Sequence, residues 1–159
     1  MSLYLSNLCY LSLSQNLARL IAHVRTHKLW EAYSARVTLY HAHLAHALHK
    51  TDRALEYYRV AAHLAAKDER SGRTTVGGEN GTVHAGVAVG RFVRVAAQAG
   101  EVGLRIGMAR EHMGGQVVDD RFKKWGSDVA KECRTLGGTL EAVGRVIEAC
   151  LTEEIVLAK

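Results

Sequence analysis

At 159 residues the chain has room for one domain or a piece of one, with a core that hides roughly two-thirds of its unfolded surface. Hydrophobic residues at 48% and charged residues at 23% exclude wholesale disorder and collagen-like sequence. Proline is absent and aromatics are only 6%, so helices can run uninterrupted. The net charge of +5 comes from Lys and Arg scattered singly or in pairs, Lys123-Lys124 being the tightest. A nucleic-acid surface shows a basic run or stripe, which this pattern lacks.

The first 27 residues begin apolar, but no Lys or Arg precedes Leu3 to Leu13, and Ser and Asn interrupt the run, unlike a signal peptide. Leu5, Leu8, Leu11, Leu17, Leu20, Ile21 and Val24 mostly step by three or four, which predicts one buried face of a helix over about 3–27. Trp30, Tyr33, Val37, Tyr40, Leu44 and Leu48 predict a second helix over about 29–49. Trp30 and Tyr40 are read as core residues, as large aromatics in such a stripe usually are.

Thr51-Asp52 reads as the cap of a third helix carrying Ala54, Leu55, Tyr58, Ala61, Ala62, Leu64 and Ala65, and fading at Lys67 to Arg70. Gly72, Gly77, Gly78 and Gly81 among Ser, Thr and Asn mark residues 71–82 as a loop. No phosphate-loop pattern occurs there, and Asn80-Gly81-Thr82 is a glycosylation acceptor by pattern alone.

Periodicity returns over about 83–112 through Val87, Val95, Val102, Ile106 and Met108, with Phe92 beside them. Interior glycines cost a helix about 1 kcal/mol each relative to alanine, so either the backbone packs closely or the helix breaks near Gly100. Gly114-Gly115 ends it, a fifth helix covers about 119–136 up to Gly137-Gly138, and a sixth covers about 139–150. Thr152-Glu153-Glu154 then reads as a further helix start that Lys159 cuts short, so the chain reads as a fragment or a short version of something longer. The organisation is one helical-repeat domain or fragment: first helices to about 70, the glycine-rich loop, and later helices over 83–159.

Helices of this length joined by short turns leave a closed bundle or an open helical repeat. Leu48 to Leu64 resembles the second half of a tetratricopeptide (TPR) repeat, with Ala54, Tyr58 and Ala61 at the alanine, aromatic and alanine positions. Ala42 suits the small position of the first half, whereas Ala45 replaces tyrosine, Thr38 replaces tryptophan, His49 stands at the turn glycine and the closing proline is missing. Ala158 suits the alanine of another repeat. The fold expected is all-α, TPR-like antiparallel helix pairs forming part of a right-handed superhelix.

Three blocks together, Ala54 to Leu64, Cys133 to Gly144 and Ile147 to Ile155, resemble fungal members of the cohesin loading factor family. The family is the TPR-type subunit of the cohesin loader and is much longer than this chain. The resemblance implies a non-enzymatic scaffold in the nucleus that wraps the extended N-terminal segment of a HEAT-repeat partner. It implies contact with chromatin through that complex, promoting cohesin loading and sister chromatid cohesion. In TPR register the first helix of a repeat lines the concave surface, which makes Arg36, His43 and His46 the candidate partner-binding residues. Ala42, Ala54, Tyr58 and Ala61 are the packing residues in that register.

His41, His43, His46 and His49 share one helix, and the last three step by three, a spacing that can chelate zinc or iron. No Glu-x-x-His or thiolate pair accompanies them, so a His-rich metal-binding protein is the alternative reading, beside a TPR adaptor with unrelated partners. Cys9, Cys133 and Cys150 form no C-x-x-C pair and suit a reduced, intracellular setting. Nucleophile elbows and paired carboxylates are not legible, and Glu153-Glu154 diverge as helix neighbours. No catalytic residue, cofactor, metal, small-molecule substrate or membrane contact is expected.

Overall fold

Nothing in a proline-free chain blocks helix propagation, and helices are what forms. The computed structural model describes residues 2–71, 83–111 and 119–152, with side chains over 10–70, 89–111 and 119–152. The helices are α1 (Ser2–Thr26), α2 (Trp30–Ala47), α3 (Thr51–Ser71), α4 (Val83–Glu111), α5 (Asp120–Leu136) and α6 (Gly138–Thr152). Among the described residues there is no strand, so the protein is all-α, and no helix is long and apolar enough to cross a membrane. Most of the expected glycine-rich loop (72–82), the stop at Gly114-Gly115, Glu153-Glu154 and Ala158 lie outside the described residues. The chain divides into two compact units, Met1–Arg94 and Val95–Lys159, with the boundary inside α4.

In the first unit, α1 packs on α2 and α2 on α3. Both turns follow one plan. After α1, the Lys28 N–H donates to Arg25 O (3.1 Å) and the Leu29 N–H to Val24 O (2.8 Å). After α2, the His49 N–H donates to His46 O (3.0 Å) and the Lys50 N–H to Ala45 O (2.9 Å). These bonds satisfy the last helical carbonyls and need a left-handed residue, supplied by Lys28 (φ 55°) and His49 (φ 56°). The cap expected at Thr51-Asp52 is corrected: Thr51 is already helical, and the Ala54 N–H donates to the carbonyl of Lys50 (2.9 Å).

The expected apolar stripes also need correction. Of the α1 stripe, Leu17 and Val24 are buried, whereas Leu11 and Leu20 are exposed. A single neighbouring helix covers a narrow strip, and Leu17 and Val24, two turns apart, lie along it. On α2 the buried side is built mainly of small residues: Ser34, Ala35, Thr38, Ala42 and Ala45, with Val37 and Leu39. Small side chains let helix axes approach closely. The buried Thr38 hydroxyl donates to Ser34 O (2.7 Å).

Where α4 reaches α3, a Cβ on Gly90 would stand 3.1 Å from the backbone nitrogen of Glu69. Four residues on, Arg94 Nε donates to Glu69 Oε2 (2.8 Å). The two alternatives for the glycine-rich helix are thereby resolved: α4 runs unbroken through Gly100, and close packing accounts for Gly90.

In the second unit, residues 95–111 of α4 pack with α5 and α6 around Val95, Val102, Ile106, Val129, Ala130, Cys133, Leu140, Ile147 and Leu151. Asp119 caps α5 by accepting from the Phe122 N–H (2.7 Å). Gly137 turns the chain at φ 70° into α6. A Cβ on Gly144 would stand 2.6 Å from Ala130 O and 2.9 Å from Cys133 Cβ, so α5 and α6 cross almost in backbone contact. The expected further helix start at Thr152-Glu153-Glu154 runs out of the described residues after Thr152. Thr152 itself lies within α6, with its hydroxyl donating to Ala149 O (2.9 Å).

Candidate functional site

The α2–α3 interface is built around one tyrosine. Ala42, Ala54 and Ala61 are fully buried, and Tyr58 is 1% exposed. The Tyr58 hydroxyl lies 3.0 Å from His43 Nδ1 and 3.1 Å from His46 Nδ1. Both imidazoles meet the phenol edge-on, with ring centroids 5.5 and 6.0 Å away. Burial pushes the Tyr58 phenol up to about 12, so it stays protonated at any physiological pH. Burial lowers the pKa of His43, and His46 beside it lowers it further; His46 is lowered by burial and then by His49.

His43 and His46, expected to face a partner groove, thus also have a role between helices. Both are tied by Nδ1 to α3. His43 is nonetheless exposed as a residue and lines a cavity, while His46 is half-buried.

That cavity, about 440 Å³, is an apolar groove between α1 and α2. Leu13, Leu17 and Leu20 form one wall, and Tyr40, Leu44 and Ala47 the other. Tyr10, Asn16 and His43 bring the polar atoms. The volume falls in the range of ordinary ligand pockets, but the hollow is open to solvent rather than enclosed.

Arg36 lies elsewhere. It borders a second hollow of about 460 Å³ with Leu39, Val89, Phe92 and Val93, and its guanidinium sits 5.5 Å from the Tyr33 ring centroid. The three residues expected to bind a partner therefore do not converge on one point. The residue shared by the two hollows is Tyr40, which was expected in the core and is 52% exposed. Its signal was present in the sequence: Arg36, Tyr40 and His43 fall at i, i+4 and i+7, one face of α2. Trp30, also expected in the core, is half-buried with the Arg25 guanidinium 5.0 Å from its ring centroid.

Among the described residues, no three His, Cys, Asp or Glu side chains are grouped to hold a metal ion. His43 and His46 direct their Nδ1 atoms at one hydroxyl, which is hydrogen-bonding geometry. The arrangement offers an apolar channel with a few hydrogen-bonding groups along it, suited to binding. No family model, curated protein or solved structure matches the chain.

Proposed function

We propose that the protein is a non-enzymatic helical scaffold that holds an extended segment of a partner protein along the α1–α2 groove. The observation that carries this reading is the groove itself, where Leu13, Leu20 and Tyr40 remain 54%, 39% and 52% exposed beside one another. Exposed apolar side chains scattered singly need no explanation, but a continuous run of them marks an interaction surface. A row of such side chains accepts the apolar residues of a peptide, while Asn16, Tyr40 and His43 offer hydrogen bonds to its backbone.

A TPR-like superhelix is the finer fold within this proposal. Two successive helix turns of one design support it, as does the burial of Ala42, Ala54, Tyr58 and Ala61 between paired helices. The likeness of three sequence blocks to the cohesin loading factor family names the partner: the extended N-terminal segment of the HEAT-repeat loader subunit. Activity in the nucleus, on chromatin through that complex, follows from the same likeness.

The test is a pull-down of this chain, and of a C-terminally extended version, with that segment as bait. Retention of both supports the assignment, with Leu20→Glu abolishing it. Retention of the longer form alone moves the site downstream. If neither is retained while both are folded and helical, the cohesin-loader assignment falls.

A further inference from the structure

Two histidine nitrogens at 3.0 and 3.1 Å from one hydroxyl impose a proton count. The Tyr58 hydroxyl has one hydrogen to donate and lone pairs to accept with. Two Nδ1–H groups could both donate to the oxygen, but the O–H of Tyr58, 1% exposed, would then be left without an acceptor. Every group is satisfied when one Nδ1 carries hydrogen and donates to the oxygen, while the other is bare and accepts from it. The two rings must therefore hold opposite tautomers.

We propose that His43, Tyr58 and His46 form a latch between α2 and α3 that tolerates one added proton and is released by the second. The first proton enters at Nε2 of the ring already protonated at Nδ1, and both bonds survive. The second enters at the bare Nδ1 of the other ring. Both rings are then donors, and the Tyr58 O–H loses its acceptor although the residue is 1% exposed. Two imidazolium charges then also share one hydroxyl.

The surroundings favour this behaviour. From α2, His49 acts on His46, and His46 on His43, so the electrostatic neighbours of the rings are themselves histidines. From α3, Tyr57 meets His41 with ring centroids 5.3 Å apart, while Glu56 and Arg59 beside Tyr58 are exposed. From α1, Tyr10 and the neutral Asn16 share the groove that His43 lines. Burial lowers both rings below the ordinary histidine value, which keeps the latch closed at neutral pH. The inference stands whatever occupies the groove.

Long-range proton–nitrogen NMR of the full chain tests it. At about pH 8 one ring is expected as the Nδ1–H tautomer and the other as Nε2–H. On acidification the rings are expected to titrate in two steps about one pH unit or more apart, with α2–α3 amide shifts moving only in the second. Tyr58→Phe, which keeps the buried ring, removes the tautomer difference. His43→Gln leaves a single step in His46. The same tautomer in both wild-type rings, or tautomers unchanged in Tyr58→Phe, overturns the proposal.

Discussion

Lys28 and His49 do the same work in successive turns, each holding a left-handed backbone (φ 55° and 56°) so that the following amide reaches back to the helix it closes. A left-handed residue with a Cβ costs roughly 1–2 kcal/mol, which glycine avoids. Part of that gain is offset by the freer unfolded chain. Lys28→Gly and His49→Gly are each expected to stabilise the protein by about 0.5–1 kcal/mol, read as a higher denaturant midpoint. A lower midpoint in both would show that the lost side chains matter more than the backbone.

Gly103 and Gly144 are both helical and face opposite surroundings. Nothing lies within 4 Å of a Cβ placed on Gly103, whereas one on Gly144 meets Ala130 O at 2.6 Å. Gly103→Ala is expected to stabilise by about 1 kcal/mol through helix propensity. Gly144→Ala is expected to destabilise by about 1–3 kcal/mol, because the α5–α6 crossing must open. Denaturation followed by circular dichroism should give shifts of opposite sign; equal signs would mean that α5 and α6 do not meet in backbone contact at Gly144.

Burial lowers His41, His43 and His46 below the ordinary value of 6.5. Between the lowered values and 6.5 the unfolded chain binds more protons than the folded one, so stability rises with pH there. The contribution is present in full above 6.5 and is lost as pH falls through the folded values. Thermal unfolding between about pH 5 and pH 8 should show Tm dropping on the acid side, and less so in the His43→Gln, His46→Gln double variant. An equal drop in the double variant would place the titration in other groups.

How much of this was legible in the sequence varies with how local the cause is. Helix limits follow from turn residues close by: those flanked by described residues, from the end of α1 to the start of α3 and from the start of α5 to the start of α6, lie within two residues of where the sequence puts them, and α4 is not broken at Gly100. Asp119 is a case of local chemistry: its carboxylate caps the helix that begins one residue later. Burial depends on neighbours the sequence does not name. The α1 leucines repeat every three or four residues, yet Leu11 and Leu20 stay exposed because α2 covers only the strip through Leu17 and Val24.

The groove was missed for the same reason. Tyr40 counts as apolar in any periodicity, and only the packed helices show it 52% exposed between two hollows. The histidines were legible as a cluster on one face, but their common partner Tyr58 lies in the next helix.

The central claim is that the α1–α2 groove binds a partner segment, and a calorimetric titration tests it most directly. The HEAT-repeat loader subunit's N-terminal segment is added to the full chain, to Tyr40→Glu, and to Val146→Glu as a control in the other unit, where Val146 is 62% exposed. Saturable binding by the wild type and the control, weakened at least about tenfold in Tyr40→Glu by a charge placed in the apolar channel, is the result the account predicts. Equal affinity in all three proteins, or no binding by the folded wild type, would contradict it.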